Sequence, residues 1–175
     1  MKISVPSTIG YSREQVFLAY RDDLPQLVEY LPNIEKIDVA LREEPQPGIV
    51  RFENHWYAEA NIPKVAQKFI KPDMLKWIDH ATWNEDAWTC DWRIETMFMS
   101  EAVSCSGHNT FVERDDGTMD LLIEGDLKVN SIPGMPRLLA GTVAPQIEKF
   151  IVSLITPNFD TINKGIASHL AKKLA

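Results

Sequence analysis

Polar and apolar residues change their period several times along the 175-residue chain, and each change marks an element. Residues 2–9 alternate, with Ile3, Val5, Ser7 and Ile9 on one side, which predicts a first strand. Ser12 followed three positions later by Gln15 reads as a capping box. The serine hydroxyl accepts from the first helical turn while the glutamine side chain reaches back. A helix from about 13 to 21 is expected next, and a second short one over 24–30 that stops near Pro32.

Beyond Pro32 the period becomes two. Ile37, Val39 and Leu41 alternate with Asp38, Ala40 and Arg42, and a Pro/Gly turn over 43–48 leads into a strand with Val50, Phe52, Asn54, Trp56 and Ala58 on one face. Residues 61–76 are less regular, with Pro63 and Pro72 bounding a helical turn. Segments 77–83, 88–99, 102–114 and 118–130 are separated by Asn-Glu-Asp, Ser-Glu and Asp-Asp-Gly turns, the pattern of an antiparallel meander. From about 136 to 172 the period is helical again: Leu139, Val143, Ile147, Phe150, Ile151, Leu154, Phe159, Ile162, Ile166 and Leu170 form one stripe. Pro145 predicts a break or a start, Pro157 a kink, and Lys172 and Lys173 suit a helix C-terminus. The order is strand, two helices, six strands, long helix. This is an α+β chain, read as one domain over 1–175, whose antiparallel sheet buries one face under the C-terminal helix.

Residues opposite each other in an antiparallel pair share a face, so the turns thread the strands together. Turns at 85–86 and 100–101 set Trp83 opposite Trp88, Asp79 opposite Trp92, Phe98 opposite Val103, Thr96 opposite Cys105 and Trp92 opposite Asn109. All five tryptophans then lie on the apolar face, with Asn54, Asp79, Thr96, Asn109 and two glycines, Gly107 and Gly125. Two readings are open at this point. In one, the core is solid and the polar groups bond to backbone, an arginine or a trapped water. In the other, a cavity between sheet and helix holds a small molecule, the glycines leaving space below the helix. Asn54, Asp79, Thr96 and Asn109 would then orient its polar end, and Trp56, Trp92, Phe150, Ile151 and Leu154 would contact its body.

Two stretches, IPKVAQKFIKPDMLKW followed by Trp83, and GDLKVNSIPGMPRLLAGTVAPQIEKFIVSLI, resemble a bacterial branch of the START-like (SRPBCC) superfamily. The order of elements along the whole chain is similar to that superfamily's helix-grip fold, shared with the birch pollen allergens. The resemblance implies a curved antiparallel sheet wrapped on a long C-terminal helix. It also implies binding, and in some members transport, of lipids, sterols or polyketide-like compounds; others are cyclases, hydrolases or chaperone regulators. Fold alone does not choose among these.

A net charge of −7 argues against a nucleic-acid partner, which would need clustered Lys and Arg. Within 132–155 the charges at Arg137, Glu148 and Lys149 leave an uncharged run of ten residues, too short to span a bilayer. The first residues carry one early lysine and no apolar run, so no secretion signal is read and a cytoplasmic location is expected. The segment 61–76 sets Lys64, Lys68, Lys71 and Lys76 among Phe69, Ile70, Met74 and Leu75. It reads either as a peripheral membrane contact or as a solvated loop whose apolar residues cap the sheet.

Cys90 and Cys105 have no metal-ligand spacing and read as reduced core thiols, so neither metal nor cofactor is expected. No motif of nucleophilic, zinc or nucleotide chemistry occurs. His55, His80 and His108 fall on the outer face, and His169 near an exposed end. Asp79 is the only inward ionisable group, and hence the one candidate acid or base for a cyclase or hydrolase. A co-chaperone-like interaction module is the remaining alternative.

Overall fold

A computed structural model describes residues 1–64, 66–68, 70–97, 100–130 and 137–175, with side chains of the last segment described from residue 141. Seven antiparallel strands form one sheet in the order β1-β7-β6-β5-β4-β3-β2. They are β1 Lys2–Ile9, β2 Ile34–Gln46, β3 Ile49–Ala58, β4 Lys76–Asn84, β5 Thr89–Thr96, β6 Val103–Glu113 and β7 Met119–Val129. Helix α1, Arg13–Asp22, and a 3-10 turn, Leu24–Tyr30, bridge β1 to β2, and helix α2, Arg137–Lys173, follows the sheet. The expected order of elements is therefore the observed one.

The Ser12 hydroxyl accepts from the Gln15 N–H, and the Gln15 side chain accepts from the Ser12 N–H, so α1 starts on the capping box read from sequence. Phe17 on its inner side meets Trp83, Trp88 and Phe111 edge-on at 5.1, 5.2 and 5.1 Å, closing one end of the interior with aromatic packing.

Helix α2 runs without interruption through Pro145 and Pro157, so the expected break at Pro145 does not occur. Each proline removes one N–H, and side chains around Pro157 bond back to other helix carbonyls: Ser153 to Phe150, Asn158 to Leu154 and Thr161 to Pro157. Burial carries the helix through both. Ile147, Phe150, Ile151, Leu154, Ile155, Ile162, Ile166 and Leu170 are buried, at about 1.5–3 kcal/mol each. Leu139 and the approach over 131–136 lie outside the described side chains.

His169 lies close to the exposed chain end as expected, but it is not itself a surface residue. It is buried, and Asp23, between α1 and the 3-10 turn, meets its Nε2 at 2.9 Å and Lys173 Nζ at 2.6 Å. This clamp ties the last turns of α2 to the other helical segments. His55, His80 and His108 do face outward, each against a carboxylate: Glu53, Glu95 and Asp91.

The strand register departs from the threading by two residues in two hairpins. Trp83 pairs with Cys90, Ala81 with Trp92 and Asp79 with Ile94, because Trp88 leaves the strand for the turn and takes a left-handed backbone, φ 56°. Its ring packs on Phe17 with the Arg13 guanidinium 4.3 Å above it, contacts that outweigh the cost of a bulky residue at positive φ. Across the next hairpin Trp92 pairs with Gly107 and Ile94 with Cys105, since β5 ends at Thr96 and β6 begins at Val103. The pairing expected for Phe98 lies outside the described residues. A slip of two leaves faces unchanged, so Asn54, Asp79, Asn109 and the strand tryptophans stay on the inner side.

Candidate functional site

Between the sheet and the middle of α2 lies a small cavity of about 60 Å³, room for a few waters. Its aromatic walls are Tyr20 from α1, Trp56 from β3, Trp77 and Trp83 from β4, Trp92 from β5 and Phe159 from α2. Trp56 and Trp77 stack with centroids 5.7 Å apart, and Phe159 lies on Trp92 at 4.9 Å.

Polar atoms break this apolar lining in two groups. In the first, the Trp92 indole N–H donates to Asn109 Oδ1 at 2.8 Å, which fixes the amide so that its NH2 side serves the Tyr20 hydroxyl. Burial, with the nearby Cys90 and Asp79, pushes the Tyr20 phenol far above its ordinary range, so it stays protonated. The two glycines belong here as well. A Cβ on Gly107 would stand 2.3 Å from the Trp92 ring, and one on Gly125 2.7 Å. The space expected to lie open below the helix is filled by the Trp92 indole, which only glycine admits at these positions.

The second group is less complete. Asn54 and Asp79 are directly opposite in β3 and β4, and Asn54 Nδ2 donates to Asp79 Oδ2 at 3.2 Å. Asn54 Oδ1 is buried with no partner, as is Asn158 Oδ1 across the cavity on α2. The Trp56 indole N–H influences the Asp79 carboxylate but makes no hydrogen bond of ordinary geometry. No Lys, Arg or His pairs with Asp79 among the described residues. Arg21 lines the same cavity, but its guanidinium is held by Asp22 and Glu85. Burial therefore dominates and raises Asp79 to about 6, against the smaller opposing effects of Asn54, His80 and Trp56. Asp79 is partly accessible and lines the cavity.

Of the site residues expected from sequence, Asn54, Trp56, Asp79, Trp92 and Asn109 line this one cavity. Thr96 is buried opposite Trp77 and lies outside the lining. Ile151 is fully buried in the core, and Phe150 and Leu154 face a wider groove with Asn33, Asn61, Gln146 and Lys149. The helix contributes Ile155, Asn158, Phe159 and Ile162 to the cavity instead, one to two turns further along. Asn158 was legible as a polar residue inside the apolar stripe, and Tyr20 as an aromatic on the inner side of α1. In the 61–76 segment Ala66, Ile70 and Leu75 are buried while Lys64, Lys68 and Lys71 are exposed; Phe69 lies outside the described residues.

The architecture matches solved structures over the full chain. TTHA0849 from Thermus thermophilus superposes with a TM-score of 0.69 at 15% identity, both chains covered completely. The Zhui aromatase/cyclase from Streptomyces sp. R1128 gives 0.69 at 12%, covering 100% of this chain and 96% of the other. Ara h 8.0201 gives 0.55 at 14% with 98% of each chain covered. The protein has the START-like helix-grip fold. No family model matches the chain, and no curated protein matches it in sequence. Among the described residues of this helix-grip chain no helix is long and apolar enough to cross a membrane, and no cluster of His, Cys, Asp or Glu is arranged to hold a metal ion. Both cysteines are free and buried, with burial pushing Cys105 up to about 12.

Proposed function

We propose that the protein binds a small, partly polar molecule in the cavity between its sheet and α2. The observation that carries this reading is a largely aromatic enclosure holding buried polar atoms that the chain itself does not satisfy. An orphaned buried acceptor costs about 1–3 kcal/mol, and a bound molecule with matching donors recovers it. Asn54, Asp79 and Asn158 orient the ligand, and Trp56, Trp77, Trp92 and Phe159 hold its body. The room available suits a compact molecule; a long acyl chain or a sterol would need α2 to move outward. Phe150 and Leu154 face the wider groove and not this cavity. A role for the 61–76 segment at a membrane surface draws less support, since Ile70 and Leu75 are buried within the protein.

The test is native mass spectrometry of gently purified protein, combined with tryptophan fluorescence during titration with small aromatic compounds, fatty acids and sterols. Compact aromatic compounds are expected to quench or shift the emission. No copurifying mass and no fluorescence response to any class would overturn the reading.

One observation favours an enzymatic variant of this role. A carboxyl poised near 6 beside a protonated phenol is suited to proton transfer, and one structural neighbour is an aromatase/cyclase. Asp79 would act as the acid or base, and Asp79→Asn would then abolish turnover of a bound substrate without abolishing binding. The exposed large hydrophobics among the described residues lie on separate elements, apart from neighbouring Val39 and Leu41 on β2, so no observation favours a co-chaperone-like module.

A further inference from the structure

We infer that the ligand of this cavity carries a positively charged nitrogen, a primary ammonium group on a compact apolar or aromatic body. The inference rests on the binding role proposed above and names the chemical class that the site selects.

The unmet demand in the cavity has one sign. Three acceptors on its lining residues lack adequate donors: the Asp79 carboxylate and the buried Asn54 Oδ1 and Asn158 Oδ1. A primary ammonium offers three N–H donors. The only orphaned donor on the wall among the described residues, the Trp56 indole N–H, already acts on Asp79.

The charge is unmet as well. A carboxylate inside a protein is normally paired or bound to a metal. Here the cation on the same wall, Arg21, belongs to Asp22 and Glu85, and the nearby His80 sits on the opposite face of β4 against Glu95. The other ionisable groups around Asp79 are Tyr20 on α1, Cys90 on β5 and Cys105 on β6. All three are held protonated and neutral, and the lining residues of α2 carry no charge. Among the described residues the interior is thus a negative site with no internal counter-charge.

The walls suit a cation for a separate reason. Trp56, Trp77, Trp83, Trp92 and Phe159 line the same cavity as the carboxylate, and ring faces attract cations. An anionic ligand would meet Asp79 with nothing to pair its own charge. A neutral hydroxylated ligand would satisfy the amides and leave the carboxylate uncompensated.

Benzylamine, benzyl alcohol and benzoate have nearly one shape and differ in charge, so together they isolate the term in question. Affinities are measured by calorimetry and tryptophan fluorescence on the full chain at about pH 7.5, where an alkyl ammonium is protonated. Benzylamine is expected to bind about tenfold or more tightly than benzyl alcohol, with benzoate weakest. Asp79→Asn should bring amine and alcohol to about equal affinity by weakening the amine about tenfold more than it changes the alcohol, with a thermal melt confirming that the variant folds. Amine and alcohol binding equally to the wild type overturns the inference whatever the variant does, and so does a preference for the amine that survives Asp79→Asn. If the alcohol binds and the amine does not, the cavity is a binding site and the cation is wrong. If none of the three binds, the inference is overturned, and the native mass spectrometry and wider titration described above decide separately whether the binding role stands.

Discussion

Two aspartates are drawn into the interior of this protein, and their surroundings differ in one respect. Burial acts to raise both. At Asp23 it is outweighed by hydrogen bonds from Lys173 and His169 and by their charges, which hold the carboxyl below its usual range. At Asp79 the Asn54 amide, the His80 charge and the Trp56 indole do not outweigh it, and the carboxyl rises to about 6. The first is a completed ion cluster that joins α2 to the start of the chain's helical segments. The second is an incomplete one in a cavity. Where the chain supplies every partner, a buried charge holds the fold together; where it leaves partners out, the charge is available to something else.

The largest expected effect follows from breaking the completed cluster. Asp23→Ala leaves a buried imidazole without its acceptor and Lys173 without its anion, and removing one partner of a buried pair costs about 3 kcal/mol. A chain of this size then melts about 6–12 °C lower, measured by calorimetry or circular dichroism. A lowered folded-state pKa gives stability that is present above the unfolded value of 3.8 and is lost as pH falls through the folded one. The difference between wild type and variant is therefore expected to shrink only in acid. A loss under about 1 kcal/mol at neutral pH would mean that the clamp is ornamental.

Asp79→Asn is expected to have the opposite sign. A folded pKa raised from 3.8 to about 6 makes the native state the stronger proton binder, so the wild type loses stability as pH rises through that window. The shift corresponds to about 2–3 kcal/mol after allowing for water in the cavity. The uncharged variant escapes this loss: it should exceed the wild type by that amount at about pH 8 and match it near pH 4, as read from chemical denaturation across pH. A variant less stable than wild type at pH 8 would place Asp79 among groups that the chain does satisfy.

The contrast between these aspartates was half legible in the sequence. Alternation in β3 to β7 put Asn54, Asp79 and Asn109 on the inner face, and that assignment survives a register error of two because faces repeat with period two. In the β4–β5 hairpin the slip came from Trp88, an aromatic residue at a left-handed turn position, where packing on Phe17 overrides local preference. Gly107 and Gly125 signalled that something approaches the backbone closely, but only the three-dimensional arrangement shows it to be Trp92 rather than a ligand. His169 resembled a terminal surface residue because its partner Asp23 is 146 positions away. Ligand contacts assigned to Phe150, Ile151 and Leu154 sit one to two turns from the helical residues that line the cavity, since spacing defines a stripe but not the height at which the sheet curves away from it.

The smallest expected effect is the most discriminating. Asn158 donates to the Leu154 carbonyl at 3.0 Å inside α2, while its Oδ1 is buried and unpartnered. Asn158→Leu removes one hydrogen bond, worth about 1 kcal/mol, but also removes an acceptor that costs about as much to leave unsatisfied, and it adds apolar surface to an apolar wall. Stability should change by less than about 1 kcal/mol in either direction, against about 3 kcal/mol at Asp23, although both residues are polar and buried. Benzylamine should nevertheless bind several-fold more weakly while benzyl alcohol is little affected, because the ammonium loses one of its three acceptors. If Asn158→Leu instead destabilises the fold as strongly as Asp23→Ala does, the amide is satisfied within the protein and the two regions are alike. A near-neutral melt with weakened amine binding separates them, because it means that the polar group matters to the ligand and not to the fold.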